Sequence, residues 1–302
     1  MSQPDRLKLH PTDDGSFTFF SANFNEYFHS YAGAKQEAIV KFVEPLQLVE
    51  KAMQPELGLL DVCYGLGYNT AAALEAIWAV NPRCQIHWYG LELETIVPET
   101  AIAHNLLNSY SEPIPQLLTQ VAAGNALKAE RFQGQLLLGD ARKMIQLVMQ
   151  SGFRADAIFL DPFSPPTCPQ LWTVEFIDLL AQLLKPAGRI ATYSCAAAVR
   201  TALMTADLKI GASSPFGRRT PGTIASLLDE ALPPLSQSEQ EHLQTRAAVP
   251  YRDPQLRDSA VEIHQRRRQE QQGRTDLEPT SQWKKRWIET WINPQELPPE
   301  KS

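Results

Sequence analysis

Two short apolar segments of this chain each end in a turn of the kind that binds a ligand, and they constrain the fold more than any other feature. The first, residues 59–69, is LLDVCYGLGYN, in which an apolar strand runs into a pair of glycines. The second, residues 156–166, is DAIFLDPFSPP and carries Asp161 at a strand end, before a turn stiffened by prolines. Ligands of parallel α/β sheets lie at the carboxyl ends of the strands. We therefore expect both segments at one edge of a sheet.

Strand and helix patterns alternate from residue 57 onward. Apolar segments predict strands at residues 59–63, 86–92, 136–139, 157–160 and 189–194. Helices are predicted at residues 70–80, 96–107, 142–149, 173–184 and 197–205, and two short strands, 208–212 and 223–227, follow them. Such alternation is typical of βαβ crossovers and of a parallel sheet covered on both faces. The predicted fold class is α/β: a Rossmann-like, seven-stranded, mostly parallel sheet with helices on both faces, as in class I methyltransferases by analogy of fold.

The chain has 302 residues, enough for one large domain with extensions. Residues 1–56 are predicted to be an N-terminal extension that contributes to the pocket, with a loose tail to about Gly15 and a helix over residues 34–51. Residues 57–228 are predicted to form the α/β domain. Residues 229–302 are predicted to be a helical, partly basic C-terminal extension.

Several protein classes are disfavoured by what the sequence lacks. No apolar run approaches the roughly 20 residues of a membrane helix, and the N-terminus lacks the apolar core of a signal peptide. We therefore expect a cytoplasmic protein without a membrane partner. The cysteines show no CxxC pair, so neither a metal site nor a disulfide framework is predicted. A nucleophilic Cys168 or Cys195 stays an alternative, although no nearby histidine would serve as its base.

The formal charge of −6 is unevenly distributed. Residues 242–292 carry 10 basic and 7 acidic side chains, net +3, whereas the remainder carries 18 and 27, net −9. This region includes Arg266, Arg267 and Arg268, which lie on a helix predicted over residues 255–272. A basic region of this kind could bind a polyanion. Trp283, Trp287 and Trp291 are four apart and share one helical face. That face either docks on the main domain or stacks on nucleobases. The three arginines, together with Arg218 and Arg219, are either an RNA contact or a solvated surface.

The glycine-containing loop has the form Asp61-x-x-x-Gly65-x-Gly67. Glycines let the backbone approach a ligand closely, and a helix begins beside them. A dinucleotide fingerprint would have a third glycine where this chain has Thr70, so the loop favours S-adenosylmethionine over NAD. The alternative is a tight turn without a ligand.

Three acidic residues end successive predicted strands around this loop. Glu92 is placed to accept hydrogen bonds from a ribose diol. Asp140 could accept one from an adenine amino group, and Asp161 follows the strand AIFL. Together with the loop, these acids predict a methyltransferase that acts on an amine.

A larger set of motifs then occurs in order: FNEYFHSYAGAKQEA (24–38), DVCYGLGYN (61–69), GLELE (90–94), GDAR (139–142), LDPFSPPTCPQLW (160–172) and FGRRTPG (216–222). This combination resembles the MnmC-like methyltransferase family, which makes 5-methylaminomethyl-2-thiouridine at the tRNA wobble position. The resemblance covers roughly residues 17–228. It implies a stand-alone form without the oxidase half that some members carry.

The resemblance implies S-adenosylmethionine as methyl donor, the aminomethyl group of a wobble uridine as acceptor, and the tRNA anticodon stem-loop as partner. The implied cofactor-binding residues are Asp61, Gly65, Gly67, Tyr68, Asn69, Glu92 and Asp140. The implied substrate-binding residues are Tyr27, His29, Glu37, Phe163, Arg218 and Arg219. Asp161 would face the reacting amine, where we expect it to orient an N–H bond, with general base as the second possibility.

The chain departs from the family pattern at two places. Tyr64 and Tyr68 flank the glycine loop, where their rings either face a sulfonium or pack in the core, and Pro162 follows Asp161 where glycine is frequent. The acceptor is therefore less defined than the donor. A methyltransferase for another amine, an aminopropyl transferase and a non-catalytic RNA-binding protein stay open as alternatives.

Overall fold

Eight strands form the central sheet in the computed structural model, which describes residues 7–124, 126–228 and 232–292. Three more strands form a separate small sheet near the N-terminus. In chain order the strands are β1 (Leu7–Pro11), β2 (Phe17–Ser21), β3 (Glu26–Tyr27), β4 (Glu56–Val62), β5 (Gln85–Glu92), β6 (Leu127–Lys128), β7 (Phe132–Leu138), β8 (Ala155–Leu160), β9 (Leu184–Thr192), β10 (Lys209–Ala212) and β11 (Thr223–Ser226).

The strand order β10-β11-β9-β8-β4-β5-β7-β6 confirms the predicted α/β class. The five strands β7, β5, β4, β8 and β9 are parallel, and β11 runs antiparallel between β9 and β10. These are the seven predicted strands. The predicted count is one short, because β6 adds an eighth strand antiparallel to β7. Two residues are too few to show alternation in a sequence.

The helices cover both faces of the sheet. They are α1 (Ala34–Ala38), α2 (Leu48–Lys51), α3 (Tyr68–Val80), α4 (Ile96–Ala103), α5 (Ile114–Ala122), α6 (Ala141–Gln150), α7 (Val174–Leu183), α8 (Ala197–Thr205), α9 (Gln237–His242), α10 (Ala260–Gly273) and α11 (Thr280–Ile292). Helix α8 has the predicted bounds. Helix α7 begins after Thr173, the first residue of the predicted helix, whose hydroxyl caps it by accepting a hydrogen bond from the amide of Phe176 at 3.3 Å. Among the described residues, no helix is long and apolar enough to cross a membrane.

The N-terminal extension differs from the prediction in two respects. The tail expected to be loose contains β1, which pairs along its length with β2. The helix expected over residues 34–51 is interrupted: α1 continues into a π-helical turn, Ile39–Val43, and the chain then turns before α2. Pro45 lies in this turn, and Gln47 adopts a left-handed φ of 55°. A proline lacks the amide that would continue a helix.

The two faces of the sheet carry two hydrophobic clusters. Alternate residues of β4 and β8 point to opposite faces, so Leu59 and Phe159 join one cluster while Leu60 and Ile158 join the other. Phe19, Phe42 and other residues of the N-terminal extension complete the first cluster. Tyr251 and Ile263 of the C-terminal extension complete the second. Both extensions therefore share the core of the α/β domain.

Trp283 and Trp287 of α11 pack against α9 of the C-terminal extension, whereas the first reading of the sequence predicts docking on the main domain. Trp283 stacks on His242 with ring centroids 4.1 Å apart, and its indole N–H donates to the Ser238 carbonyl at 2.8 Å. The indole N–H of Trp287 donates to Glu241 at 2.9 Å. The side chain of Trp291 lies outside the described residues.

Candidate functional site

A cavity of about 930 Å³ lies at the carboxyl ends of the parallel strands. Its floor is formed by residues that follow β4, β5 and β8, and its roof by the N-terminal extension. The predicted site residues that line it are Tyr27, His29, Glu37, Gly65, Glu92, Asp161, Phe163 and Arg218. The predicted residues outside its lining are Asp61, Gly67, Tyr68, Asn69, Asp140 and Arg219.

Asp161 is the acid at the end of β8. Its backbone amide donates to the Val62 carbonyl at 3.2 Å, which fixes it beside the end of β4. Its Oδ2 accepts a hydrogen bond from Asn69 Nδ2 at 2.8 Å. Burial raises the pKa of Asp161 to about 6, with a further rise from the charge of Glu37, although the His29 charge and the Asn69 hydrogen bond oppose it. The carboxyl group therefore changes charge close to neutral pH.

Glu92 braces the glycine loop. Its Oε2 accepts from the amide of Gly65 at 2.9 Å, and its Oε1 accepts from the amides of Leu93 at 2.7 Å and Glu94 at 3.1 Å. Burial raises the pKa of Glu92, and these amides oppose the rise. The carboxylate thus has a structural task in addition to the predicted ribose contact, because it fixes the loop on the wall of the cavity.

Two buried oxygens at this edge of the sheet have no hydrogen-bond partner within the described protein: Asp61 Oδ1 and Asn69 Oδ1. The other oxygen of Asp61 accepts from the Thr70 hydroxyl at 2.6 Å. Burial raises the pKa of Asp61 to about 7, and the charges of Asp161 and Glu92 add to the rise. Buried polar groups are costly unless they are paired, but neither Asp61 nor Asn69 lines the cavity.

The glycine loop owes its shape to its two glycines. Gly65 has a φ of 58° and lines the cavity, and a Cβ there would lie 3.5 Å from the ring of Phe28. Gly67 has a φ of 86° and directly precedes α3; a Cβ there would lie 2.5 Å from the Tyr64 hydroxyl. Positive φ and close contact both disfavour a side chain. Gly67 therefore allows the loop to pack closely against Tyr64 in the core, whereas Gly65 allows the backbone to approach a ligand in the cavity.

The two loop tyrosines are core residues, which decides between the two readings of the sequence. Tyr64 is 3% exposed and packs edge-on to Trp88, and Tyr68 is fully buried. The Tyr68 hydroxyl accepts from the amide of Phe17 at 3.2 Å, which ties the N-terminal sheet to α3. Neither ring lines the cavity.

Asp140 caps α6 and is engaged by Arg142. It accepts from the Arg142 amide at 3.0 Å, and the Arg142 guanidinium lies 2.7 Å from its Oδ2. Burial would raise the pKa of Asp140, but the hydrogen bonds and charge of Arg142 lower it overall. The same guanidinium contacts the fully buried Asp253 at 2.8 Å. In this arrangement Asp140 anchors the C-terminal extension, and its predicted adenine contact stays a prediction.

The roof contains a charged cluster that faces the cavity: His29, Glu37 and Lys41. Glu37 forms an ion pair with Lys41, accepts from the amide of Ser30 at 2.7 Å and lies 3.7 Å from His29 Nδ1. Burial would raise the pKa of Glu37, but the nearby His29 and Lys41 side chains outweigh it and lower the pKa to about 2. Lys41 was missed by the sequence reasoning, although it lies four residues after Glu37 on one helical face.

A second missed residue, Glu26, clamps the roof to the proline-rich turn. Its carboxylate accepts from the amide of Ser164 at 2.9 Å, from the hydroxyl of Ser164, and from the hydroxyl of Thr167 at 2.7 Å. Phe24 stacks on Phe163 beside it, with centroids 4.4 Å apart. No local pattern reveals this clamp, because 138 residues separate Glu26 from Ser164.

The FGRRTPG loop closes another side of the cavity. The Arg218 guanidinium lies 5.3 Å from the ring centroid of Tyr193 and donates to the Tyr193 carbonyl. The Tyr193 hydroxyl donates in turn to the Pro162 carbonyl at 2.9 Å. Gly217 has a φ of 65°, and a Cβ there would lie 2.4 Å from the Ser30 hydroxyl. The loop therefore fits tightly against both the roof and the turn that follows Asp161.

Two cysteines also line the cavity, Cys63 and Cys168. Burial raises the pKa of both thiols, that of Cys168 to about 12. The nucleophile is the thiolate, so this environment does not support the alternative of a reactive Cys168.

The three consecutive arginines of α10 differ in their surroundings. Arg266 pairs with Asp258 at 2.6 Å and donates to the Arg252 carbonyl. Arg267 donates to the carbonyls of Val249 and Ala247 and lies over the Tyr251 ring. Arg268 is exposed. Arg266 and Arg267 thus hold parts of the extension together, and the RNA contact of this cluster stays a prediction.

Comparison with known proteins agrees with this geometry. The family described as S-adenosyl-L-methionine-dependent methyltransferase matches residues 98–228. The crystal structure of MnmC2 from Aquifex aeolicus superimposes with a TM-score of 0.74 at 36% sequence identity, covering 86% of this chain and 84% of that one.

Two curated relatives differ in how much of their length is matched. An uncharacterised protein of Methanocaldococcus jannaschii is 29% identical over 85% of this chain and 71% of its own length. The tRNA 5-methylaminomethyl-2-thiouridine biosynthesis bifunctional protein MnmC of Aromatoleum aromaticum is 31% identical over 67% of this chain. The match spans only 32% of that bifunctional protein.

Proposed function

Because this chain belongs to the family of S-adenosyl-L-methionine-dependent methyltransferases that includes MnmC2 of Aquifex aeolicus, we propose that it methylates the aminomethyl group of 5-aminomethyl-2-thiouridine at the wobble position of tRNA. The acceptor is the nucleoside in the anticodon stem-loop. The names of the bifunctional relatives support this choice of substrate.

The observation that carries the proposal is the placement of Asp161. It lies at the carboxyl edge of the sheet, in a cavity large enough for a nucleoside cofactor together with a base, and beneath a roof that carries His29, Glu37 and Lys41. An amine that enters this cavity would meet the Asp161 carboxylate, whose Oδ2 is oriented by the hydrogen bond from Asn69. A carboxylate in this position supports the proposal of methyl transfer to nitrogen, because it can accept an N–H bond from the amine.

The residues of the floor fit the cofactor. The Gly65 loop and Glu92, which line the cavity, would hold the ribose. S-adenosylmethionine supplies an electrophilic methyl group on a positively charged sulfur. Glu92 and Asp161, two acids that line the cavity, are suited to a cationic ligand of this kind.

Asp161 acts on the acceptor amine. Its carboxylate accepts an N–H hydrogen bond, directs the nitrogen lone pair away from itself, and stabilises the positive charge that grows on nitrogen. A lysine-like amine would cost up to about 4–5 kcal/mol to deprotonate at pH 7, given a pKa near 10.4. An aminomethyl group on a uracil ring is less basic, so its neutral form is reached at a smaller cost.

A labelled methyl-transfer assay tests the proposal. Purified protein is incubated with S-adenosylmethionine and an anticodon stem-loop that carries 5-aminomethyl-2-thiouridine, and the digested nucleosides are analysed by mass spectrometry. We expect a gain of one methyl group on the modified uridine and none with Asp161→Ala. Transfer to a different nucleoside, or to a free amine in preference to the stem-loop, would contradict the proposed acceptor. It would instead favour a methyltransferase that acts on another amine.

A genetic experiment provides an independent check. Cells that lack the gene should accumulate the unmethylated aminomethyluridine at the wobble position. Complementation with the wild-type gene should restore the methylated nucleoside, whereas the Asp161→Ala gene should not. Unchanged wobble nucleosides in the deletion strain would contradict the proposal.

A further inference from the structure

We propose that the outer face of the N-terminal sheet is a stacking platform for unpaired nucleobases that flank the methylated nucleotide. The platform consists of Lys8, His10, Phe20, Tyr27 and Tyr31. This inference rests on the proposed RNA substrate and deepens it, because it assigns a surface that would hold the RNA loop outside the cavity.

The register of the small sheet places these residues on one face. Lys8 pairs with Phe20, and Phe20 pairs with Tyr27, so these side chains form one row across three strands. His10 is two residues beyond Lys8 and therefore points to the same side. Tyr31 follows β3 and completes the cluster.

The rings of the platform contact one another. The Tyr27 ring lies 5.2 Å from His10, 5.0 Å from Phe20 and 4.8 Å from Tyr31, measured between centroids. The Tyr31 ring also meets His10 edge-on at 6.3 Å. Mutual contacts of this kind hold the aromatic side chains in fixed orientations, so little conformational entropy would be lost when a base binds.

The opposite face of the same sheet already accounts for the folding of this segment. Phe19 is fully buried in the core cluster, and Leu9 and Phe17 pack against that cluster. Tyr27 and Tyr31 on the outer face do not belong to that core cluster. Although both are aromatic, Tyr27 is 36% exposed and Tyr31 is 48% exposed. Exposed aromatic groups gathered in one place are characteristic of a binding surface.

The platform is continuous with the cavity. Tyr27 and Tyr31 both line its mouth, as does Arg218 on another side. A base that enters the cavity would leave its sequence neighbours beside these rings. Single-stranded RNA is bound by aromatic stacking together with cationic groups that follow the phosphates. Lys8 is exposed at the end of the row and supplies such a cation.

One carboxylate at this rim limits where the phosphates can lie. Asp13 is exposed and lines the mouth of the cavity near Tyr31. Its charge would repel a phosphate, so the backbone of the bound RNA is assigned to the side of Lys8. The neutral faces of the rings then meet the bases.

The test is a binding measurement without turnover. Fluorescence anisotropy reports the affinity of the full-length protein for a labelled anticodon stem-loop and for a blunt duplex of the same stem. Removal of a stacking ring typically weakens single-strand binding by about tenfold. We expect this loss for Tyr31→Ala and Tyr27→Ala with the stem-loop, and no more than about a twofold change with the duplex. Tyr31→Phe should bind as the wild type does.

The matched control is Met53→Ala, since Met53 is 77% exposed and lies between α2 and β4, at the opposite edge of the sheet. Calorimetric affinity for S-adenosylmethionine verifies that each variant is folded. Unchanged stem-loop binding by both alanine variants, or equal losses for stem-loop and duplex, would overturn the platform. A wild-type protein that binds neither RNA would instead refute the proposed substrate.

Discussion

Asn69 Nδ2 donates a hydrogen bond to Asp161 Oδ2 at 2.8 Å and so connects the first turn of α3 to the acid at the end of β8. The same amide presents its unpaired Oδ1 at this edge of the sheet. The glycine loop leads directly into α3. This hydrogen bond therefore fixes the position of Asp161, which is proposed to face the amine, relative to the glycine loop, which is proposed to bind the cofactor.

Removal of the Asp161 carboxylate should affect turnover much more than cofactor binding. We expect Asp161→Ala to lower kcat by at least about 100-fold, the usual scale for one positioned electrostatic group, with a much smaller change in the calorimetric Kd for S-adenosylmethionine. Asp178→Asn is a control, since Asp178 is an exposed acid on α7. Equal losses of turnover and affinity would make Asp161 a cofactor-binding residue instead.

The pH profile should depend on the Asn69–Asp161 hydrogen bond. The pKa of Asp161 is about 6, and the proposed role needs the ionised form, so kcat/KM should fall as the pH decreases through about 6. The Asn69 hydrogen bond lowers this pKa, so Asn69→Ala should move the acidic limb to higher pH. Asn69→Ser keeps a donor and should move it less. An acidic limb that does not move in Asn69→Ala would exclude Asp161 as its origin.

Loss of the Glu92 carboxylate should weaken cofactor binding. Glu92→Ala removes the predicted ribose partner and leaves three buried or partly buried amides without their acceptor, at about 1–3 kcal/mol for each unsatisfied group. We expect the calorimetric Kd for S-adenosylmethionine to rise at least about tenfold. Glu99→Gln, at an exposed acid of α4, should have no effect. Unchanged affinity in Glu92→Ala would remove the ribose assignment.

Removal of one partner of the buried Glu37–Lys41 pair should destabilise the protein. Glu37→Gln leaves a buried ammonium without its counter-charge, which typically costs about 3 kcal/mol. The pKa of Glu37 is lowered to about 2 in the folded protein, from an ordinary value of 4.5. Its stabilising contribution is therefore fully present above pH 4.5 and is lost as the pH falls toward 2.

Urea unfolding across this pH range measures the contribution of the pair. The difference in unfolding free energy between wild type and Glu37→Gln should be largest near neutral pH and should shrink in acid. Glu37→Gln combined with Lys41→Met should recover much of the stability, because no buried charge is then left unpaired. A difference that does not vary with pH would contradict this account.

A side chain at Gly217 should displace the arginine loop. Gly217→Ala combines a φ of 65° with a Cβ 2.4 Å from the Ser30 hydroxyl, so it should lose both stability and methyl transfer. Gly152→Ala is the matched control, because Gly152 has a φ of 76° and a Cβ there would meet no atom within 4 Å. It should cost only the backbone strain, about 1 kcal/mol. Equal stability losses in the two variants would show that the contact with Ser30 has no effect.

The parts of the fold that depend on local sequence were predictable. The alternation of apolar strands and amphipathic helices indicated the sheet, and Thr173 indicated the start of α7, because a cap acts within one turn of the chain. Strand β1 could not be recognised in this way. Its outward residues Lys8 and His10 gain their partners only from β2 and β3, and strand pairing of this kind depends on its neighbours.

The candidate site was predictable where a motif supplies the residue and not where a distant contact does. Gly65, Glu92 and Asp161 follow strands whose ends meet in any parallel sheet, so their convergence follows from the fold. The role of Arg142, which bridges Asp140 and Asp253, could not be predicted. Asp253 lies 111 residues away from Arg142 in the sequence. Contacts of this kind have no signature in a single sequence.

Both extensions hold the proline-rich turn after Asp161, from two sides. Glu26 binds it through Ser164 and Thr167, and His264 of α10 lies 2.8 Å from the Pro166 carbonyl through its Nε2. A minimal fragment cut at residues 56 and 228 would keep every strand of the central sheet and lose both of these supports. Attempts to trim this protein to a smaller catalyst, or to graft its α/β domain onto another carrier, must therefore retain segments that contribute no reacting group.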